Sequence, residues 1–397
     1  TQKTLLVVGG PTASGKTGLA IRLAQHFSTV ILSADSRQFY HEMTIGNARP
    51  EPEELEAVQH YFIADRSVER PLSAGEFAKE ALSLLDRLFQ VHDYVVLVGG
   101  SGLFVRALTE GLDEFPSITP QVRQRVDTMF EQGGVVALQN ALQSLDPDYF
   151  ATVDQQNPAR LRRALEVCYQ TGQPFSQFRV AQAEARSFQS IYLQPQWPRE
   201  LLYDRINKRV ERMIEAGLEA EAKGLYDYRD LAALQTVGYQ EWWPYFAGEQ
   251  SLERTVELIQ QNSRRYAKRQ LTWNRRDGYW KHLPQADLRA ALTYIHLVML
   301  QQLVLQSFSV QPDASPILHK KEKRKRVALT HTSTEAILGV ADLAFWKDLI
   351  ILQYWADEEL PTVGFAVLMH EACCRAEAET VYTKVRSDEE GQNLHSW

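Results

Sequence analysis

The sequence predicts an α/β protein built on a parallel β-sheet. Three short apolar runs, at residues 5–8, 30–34 and 94–98, are separated by segments with helical periodicity. Fully apolar strands indicate a sheet that is covered on both faces, as parallel sheets are. Each run is followed directly by glycine or by an aspartate. Since ligands of such sheets bind at the carboxyl ends of the strands, we expect one site where the three runs end.

The composition is that of a globular protein without a membrane segment. The chain has 397 residues, of which 44% are hydrophobic and 23% charged, with a formal net charge of −7. Its three cysteines fit neither a disulfide framework nor a four-ligand zinc site, which favours a reducing compartment. No apolar stretch reaches the roughly 20 residues that span a bilayer. The first strand also follows the N-terminus too closely for a signal peptide. We therefore expect a cytoplasmic monomer with no membrane contact.

The pattern of elements divides the chain into three parts. Residues 1–115 and 187–283 form the predicted α/β core. Residues 116–186 indicate an inserted helical domain, because Pro120 and Pro158 each precede an amphipathic pattern, as proline does in the first turn of a helix.

The third part, residues 284–397, is an unassigned C-terminal segment. We predict one helix at about 288–306. The charge run at 320–326 is typical of a solvated linker or tail.

A phosphate-binding loop directly follows the first strand. Residues 10–17 match the pattern G-x-x-x-x-G-K-[ST] between a predicted strand and a predicted helix. In such a loop, backbone N–H groups surround an anion at a helix N-terminus. Lys16 would neutralise phosphate charge, and Thr17 would offer its hydroxyl to Mg²⁺. The predicted phosphate ligands are Gly10, Pro11, Thr12, Ala13, Ser14, Gly15, Lys16 and Thr17.

Asp35 supplies an acidic group at the end of the second strand. Many ATPases hold Mg²⁺ with an acid at a strand end, but the strand at 94–98 ends in glycine instead. Asp35 is therefore either a carboxylate near Mg²⁺ or a general base beside the phosphates. The alternative is that it caps a helix.

A basic, aromatic stretch lies at residues 262–281. Seven basic residues stand there against one acid, and Tyr266, Trp273, Tyr279 and Trp280 lie among them. Cations bind phosphates and aromatic rings stack on unpaired bases, so the stretch favours an RNA-binding surface within an acidic protein. The alternative is a solvated basic helix whose aromatic residues face the core.

Together these motifs resemble those of the tRNA dimethylallyltransferase (tRNA isopentenyltransferase) family. Residues 10–17 resemble its GPTASGKT signature, residues 35–38 its DSRQ segment, and residues 99–104 its GGTGLY segment. Further similar segments lie in the family's order at residues 45–50, 157–167, 237–239 and 265–273. The resemblance covers about residues 4–283.

The sequence departs from the family pattern at a few positions. Ser101 replaces the usual Thr, Phe104 replaces the usual Tyr, and Asn274 stands where an apolar residue is common. None of these changes removes a charged group. The segment after Leu283 resembles nothing in the family, so it is either an appended segment or a shifted reading frame.

The resemblance implies a P-loop NTPase-like core that uses Mg²⁺, with dimethylallyl diphosphate as donor. The implied acceptor is the exocyclic amine of the adenine 3′ of the anticodon. Lys16, Thr17 and Arg205 would then hold the leaving diphosphate, and Asp35 would take a proton from the amine. Arg205 and Arg209 lie at i and i+4 on one predicted helix, and the resemblance favours Arg205.

The tRNA anticodon stem-loop is the implied partner, with the acceptor adenine flipped into the pocket. The predicted tRNA contacts are Asp35, Ser36, Arg37, Gln38, Ser101, Arg123, Ala159, Arg160, Leu161, Arg162, Arg163, Lys268 and Arg269. Two other functions fit the phosphate loop alone. One is a small-molecule kinase that binds ATP there; the other is an RNA-binding protein whose loop has lost its activity.

Overall fold

The computed structural model describes residues 2–113, 115–179, 185–312, 323–331, 337–346, 349–356 and 380–383. These residues belong to two compact units, Thr1–Ala286 and Asp287–Trp397, and each unit contains its own sheet. Across the described ranges, no helix is both long enough and apolar enough to cross a membrane.

The first unit is built on six parallel strands. They are β1 (Thr4–Val8), β2 (Ile31–Ser33), β3 (His60–Tyr61), β4 (Tyr94–Val98), β5 (Gln189–Gln196) and β6 (Lys281–Pro284). Their order is β3-β2-β4-β1-β5-β6, so the three predicted apolar runs are neighbours in the centre of the sheet. Every residue of β1 is buried, as expected for a strand covered on both faces. The predicted α/β class with a parallel sheet is confirmed.

Eleven α-helices accompany this sheet in the described part of the first unit. They are α1 (Lys16–His26), α2 (Pro52–Ala57), α3 (Ala74–Leu88), α4 (Gly102–Thr109), α5 (Pro120–Leu145), α6 (Pro147–Phe150), α7 (Pro158–Thr171), α8 (Arg199–Glu215), α9 (Leu218–Gly224), α10 (Trp242–Phe246) and α11 (Leu252–Asp277). Helices α1 and α4 begin directly after the loops that follow β1 and β4. The N-termini of both helices therefore lie at the carboxyl edge of the sheet.

Helices α5, α6 and α7 form the helical insert, which has its own hydrophobic cluster. Val126, Leu138, Leu142 and Leu161 are fully buried in it. Helices α5 and α7 begin at Pro120 and Pro158, as predicted. Helix α5 is interrupted near its middle, where the backbone leaves helical geometry at a glycine.

Helices α8 and α11 pack together, with Leu202, Ile206 and Ala267 buried between them. Helix α11 also contacts α4. Through these contacts α8 and α11 bring side chains to the loops that follow β1 and β4.

The second unit begins with α12 (Leu288–Ser307), which confirms the helix predicted at about 288–306. Its strands are β7 (Phe308–Pro312), β8 (Lys323–His331), β9 (Ile337–Trp346), β10 (Leu349–Ala356) and β11 (Thr380–Thr383). The sheet order is β11-β10-β9-β8-β7, and the β10–β11 pair alone is parallel among the pairings described. Residues 323–326 of the charge run lie in β8, so the linker prediction is wrong for them; residues 320–322 lie outside the described residues.

Candidate active site

The loop at residues 10–17 connects β1 to α1, as its sequence predicts. Gly10 and Gly15 have φ values of 134° and 85°, a region in which glycine has no Cβ penalty. Lys16 Nζ lies 3.4 Å from the carbonyl oxygen of Pro11, so the ammonium group folds over the loop. The hydroxyl of Ser14 is buried and has no hydrogen-bond partner among the described residues. A bound anion would satisfy this hydroxyl.

Some backbone N–H groups of the loop are not free to bind an anion. Pro11 has no N–H, and the N–H of Thr12 donates to Gln270 Oε1 at 3.1 Å. The amides at the start of α1 also benefit from the positive end of the helix dipole. The N–H of Ser14 also donates within the loop, to the carbonyl oxygen of Pro11 at 3.3 Å, so Ser14 can offer its hydroxyl to an anion but not its amide. The amides of Pro11, Thr12 and Ser14 thus leave the predicted set of phosphate ligands.

Two cations and one carboxylate near this loop interact electrostatically. Burial, together with the nearby Arg209 guanidinium, lowers the pKa of Lys16 to about 8, while the Asp35 carboxylate opposes the shift. Burial also lowers the pKa of Arg209 to about 10, again against the charge of Asp35. Desolvated cations interact strongly with a bound anion, since little water screens them. These three groups therefore suit a ligand that carries several negative charges.

Arg205 contacts the backbone of the phosphate loop, and its predicted contact with the diphosphate stays a prediction. Its Nε donates to the carbonyl oxygen of Ala13 at 2.8 Å, and its guanidinium lies 4.3 Å from the centroid of the Trp197 ring. Trp197 Nε1 in turn donates to the carbonyl oxygen of Ser14 at 2.9 Å. Arg205 and Trp197 thus hold the backbone of the phosphate loop. Arg209, one turn further along α8, is the arginine whose charge interacts with both Lys16 and Asp35.

Asp35 lies two residues after the end of β2, at the start of the 35–38 segment. Its Oδ1 accepts the N–H of Arg37 at 3.1 Å, which orients the carboxylate. The hydroxyl of Ser101 accepts the N–H of Ser36 at 3.1 Å and lies 3.2 Å from the Ser36 hydroxyl. The structure therefore brings the ends of β2 and β4 together, as the sequence predicts.

The side chain of Gln38 is engaged within the protein. Gln38 Oε1 accepts from Ser33, and its Nε2 donates to the carbonyl oxygen of Ala48, at 3.1 and 3.0 Å. The nearby Asn47 donates to the carbonyl oxygen of Arg37 at 3.0 Å. The 35–38 segment is thus held by the loop that follows it, and Gln38 itself supports that loop.

Glu221 on α9 anchors the same loop from the other side. Its carboxylate accepts the N–H groups of Thr44, Ile45 and Gly46, at distances of 2.8 to 3.1 Å. It also accepts the hydroxyl of Tyr239 at 2.6 Å, and Tyr239 packs where a Cβ on Gly46 would lie. The family segments at 45–50 and 237–239 therefore form one structural support for Asp35.

Helix α11 presents a basic surface beside Asp35. Lys268 and Arg269 are exposed, and the Arg269 guanidinium lies 5.5 Å from the centroid of the Tyr266 ring. Tyr266 is 36% exposed. Desolvation and then the charge of Asp35 raise the pKa of the Tyr266 phenol. This surface fits the predicted use of cations and an aromatic ring on RNA.

The predicted tRNA contacts of the helical insert differ in how far their side chains are exposed. Arg123, Ala159, Arg160 and Arg163 are exposed. Leu161 is fully buried in the core of the insert, so its side chain cannot contact RNA, and that prediction is corrected. Arg162 forms an ion pair with Asp127 at 3.2 Å and lies 4.1 Å from the Phe130 centroid.

The protein side chains at the site can coordinate Mg²⁺ only together with oxygens of a bound phosphate ligand and water. Within the part of the chain that the structure describes, no group of three or more His, Cys, Asp and Glu side chains could hold a metal ion. Mg²⁺ commonly keeps several waters and binds through one or two protein groups plus substrate phosphates. The Thr17 hydroxyl at the phosphate loop fits that arrangement.

Comparison with known proteins identifies the family. The family described as IPP transferase matches residues 38–277. A tRNA dimethylallyltransferase of Christiangramia forsetii is 49% identical over 273 residues, covering 69% of this chain and 90% of the relative. This chain belongs to the IPP transferase family.

Solved structures support the same assignment. A tRNA isopentenylpyrophosphate transferase of Bacillus halodurans is 33% identical with a TM-score of 0.55, and the match covers 76% of this chain and 97% of that one. A eukaryotic dimethylallyltransferase acting on tRNA is 23% identical with a TM-score of 0.64, and it shares the fold over 80% of this chain and 82% of its own. The IPP transferase assignment confirms both the family resemblance and the predicted P-loop NTPase-like fold.

Gln270 of this IPP transferase site was not singled out by the sequence, and Trp273 and Trp280 were predicted only as aromatic rings for RNA. Gln270 contacts the phosphate loop, Trp273 packs on Gly102, and Trp280 packs on Gly9. The departure at Asn274 is explained by its buried hydrogen bond to Gln194 Oε1 at 3.0 Å, which ties α11 to β5. Phe104 packs in a cluster with Phe39 and Phe77, at ring-centroid distances of 5.6 and 5.4 Å. The signal for these contacts in the sequence was the set of glycines at 9, 100 and 102, because a large side chain from elsewhere occupies the space beside each one.

Proposed function

We propose that this chain transfers a dimethylallyl group from dimethylallyl diphosphate to N6 of the adenine 3′ of the anticodon in tRNA. The observation that carries the proposal is the electrostatic interaction of Lys16 and Arg209 with each other and with Asp35, beside the phosphate loop of a member of the IPP transferase family. Two cations beside a phosphate loop suit a diphosphate, and the carboxylate suits a proton acceptor. The family assignment favours prenyl transfer over the kinase and over the inactive RNA-binding protein.

The reaction forms one bond and breaks another. The N6 amine attacks the allylic carbon C1 of the donor, and the C1–oxygen bond breaks so that diphosphate leaves with the electron pair. The proton lost by the amine goes to Asp35, whose orientation is fixed by the N–H of Arg37. Lys16 and Arg209 neutralise the charge that grows on the leaving diphosphate.

Mg²⁺, held by Thr17 together with diphosphate oxygens and water, would supply further neutralisation of the leaving group. Thr17 is the protein group that we assign to it. We expect diphosphate to bind more weakly when Mg²⁺ is chelated.

The tRNA would be held by two basic surfaces. One is on α11, where the exposed Lys268 and Arg269 follow Tyr266. The other is on the insert, where Arg123 and Arg160 are exposed. Because tRNA acts in the cytoplasm, we propose that the enzyme is cytoplasmic. We also expect it to be monomeric, and sedimentation with and without tRNA would measure its mass.

The decisive experiment incubates the protein with radiolabelled dimethylallyl diphosphate, Mg²⁺ and unmodified tRNA whose anticodon is followed by adenine. We expect label in the RNA and release of intact diphosphate. The matched control is the same tRNA with that adenine replaced by guanine. Label in both RNAs, or nucleoside diphosphate formed from ATP with no labelled RNA, would exclude the proposed reaction.

A further inference from the structure

Gln270 connects the two glycine-rich loops of the site. Its Oε1 accepts the N–H of Thr12 at 3.1 Å, and its Nε2 donates to the carbonyl oxygen of Gly100 at 2.8 Å. The residue is only 8% exposed, so water does not readily replace either partner. A single amide group therefore joins the phosphate loop after β1 to the loop after β4.

The loop after β4 is shaped around α11. A Cβ on Gly100 would collide with Gln270 Nε2, whereas its next nearest atoms would lie at 3.5 Å, an ordinary contact. A Cβ on Gly102 would likewise collide with the indole of Trp273. Since Gln270 and Trp273 are three residues apart on a helix, they lie on the same face of α11. This face of α11 therefore contacts the loop after β4 at two positions, Gly100 and Gly102.

The same connection continues to Asp35. Ser101, the residue after Gly100, accepts the N–H of Ser36, and Ser36 directly follows Asp35. The distance between the phosphate loop and Asp35 thus depends on a chain of contacts through Gln270, Gly100 and Ser101. In the proposed reaction this distance decides whether amine, allylic carbon and leaving group can align.

We propose that Gln270 is a positioning residue that fixes the distance between the phosphate loop and Asp35. This role rests on the proposed function. Gln270 acts through the two loops and not on the substrates themselves, so its loss should reduce the rate of transfer more than the binding of diphosphate. Helix α11 also carries Lys268 and Arg269, so RNA bound to those residues would act on the same connection.

The first test replaces the amide by groups that cannot form both hydrogen bonds. In Gln270→Glu one oxygen still accepts from Thr12, but the other faces the carbonyl oxygen of Gly100 and repels it. Gln270→Ala removes both contacts without adding charge. We expect kcat, measured as label transferred to tRNA in the steady state at saturating substrates, to fall by about 10–100-fold in both variants. Diphosphate affinity, measured by calorimetry, should change by less than about threefold.

Gln261→Glu is the matched control, because it adds the same charge elsewhere on α11. We expect wild-type kcat from it. Unchanged kcat in Gln270→Ala and Gln270→Glu would overturn the role of Gln270. So would a loss confined to KM for diphosphate donor or tRNA, with kcat preserved.

A double-mutant cycle tests the contact directly. Gly100→Ala alone should lower kcat and the melting temperature, because its Cβ collides with Gln270. Adding Gln270→Ala removes the colliding side chain, so the double variant should be no worse than Gln270→Ala alone. Additive losses of both kcat and melting temperature would overturn the proposal. If the wild-type protein labels no RNA, the proposed function itself is wrong. If wild type and variants label RNA at the same rate, only the inference about Gln270 is wrong.

Discussion

The carboxyl edge of the sheet and the helical insert both present basic residues, but in opposite surroundings. At the edge, burial lowers the pKa of Lys16 to about 8 and that of Arg209 to about 10. In the insert, Arg125 and Arg163 lie over aromatic rings, with centroid distances of 3.8 and 5.4 Å, and their side chains are exposed. Salt screens exposed charges and hardly affects buried ones. The edge is therefore suited to stabilising a leaving group, and the insert to holding RNA.

The glycines show the same contrast. At the edge, a Cβ on Gly9, Gly99 or Gly102 would collide with a neighbouring indole or backbone atom. In the insert, a Cβ on Gly134 or Gly172 would meet nothing within 4 Å, and one on Gly133 would collide only with Ala137, in the same helix. The loops of the edge are packed to fixed positions, whereas these insert glycines serve local turns. Substitutions at the edge should therefore change rate, and substitutions on the insert should change RNA affinity.

The largest expected effect comes from Asp35→Ala. Loss of the proton acceptor should lower single-turnover prenyl transfer by about 10²–10⁴-fold, while diphosphate still binds, since Lys16 and Arg209 remain. The control is Asp86→Ala, which removes an exposed aspartate from α3. Transfer at the wild-type rate in Asp35→Ala would remove Asp35 from the mechanism.

Lys16→Ala should have the next largest effect. Removing this cation takes away stabilisation of the leaving diphosphate, and we expect kcat to fall by about 10²–10³-fold. Unlike Asp35→Ala, this variant should also bind diphosphate more weakly in calorimetry. Unchanged diphosphate affinity would contradict the assignment of Lys16 to the donor.

A smaller effect concerns pH. A lysine is charged below its pKa, so with a pKa of about 8 Lys16 loses its charge as the pH rises from 7 to 9. Diphosphate affinity should therefore fall above pH 8, by up to about tenfold per pH unit, and binding should take up a proton there. Lys16→Arg should flatten this dependence. The same pH profile in both proteins would show that another group titrates.

The smallest effect is expected on the insert. Arg160→Ala should raise KM for tRNA about three- to tenfold and reduce the salt dependence of binding by about one unit of log–log slope, with kcat unchanged. Arg87→Ala, at an exposed position of α3, should change neither quantity. A large loss of kcat in Arg160→Ala would erase the distinction between the edge and the insert.

Local patterns in the sequence were sufficient for the central fold and for part of the site. The apolar runs are β1, β2 and β4, and the phosphate motif lies between β1 and α1 because its residue types act over a few neighbouring positions. Asp35 follows from the same reasoning, since the end of a strand is a local feature.

Contacts between distant segments had no such local signal. Thr12 and Gln270 are separated by 258 positions, and nothing near either residue indicates their hydrogen bond. The choice between Arg205 and Arg209 depends on how α8 is rotated against the loop, which a spacing of four residues does not determine. Leu161 differs, because Leu161 and Leu165 lie at i and i+4 and both are buried. Helical periodicity could have placed it in the core.

The indole of Trp197 has a practical consequence. Its N–H is bonded to the backbone of the phosphate loop, and a guanidinium lies against its face. Indole emission responds to hydrogen bonding and to nearby charge, so any shift of this loop should change the fluorescence of the protein. Subtracting the spectrum of Trp197→Phe would isolate that signal from the other tryptophans. The protein therefore carries an intrinsic optical probe of donor binding, which can be followed in a stopped-flow instrument without labelled substrate.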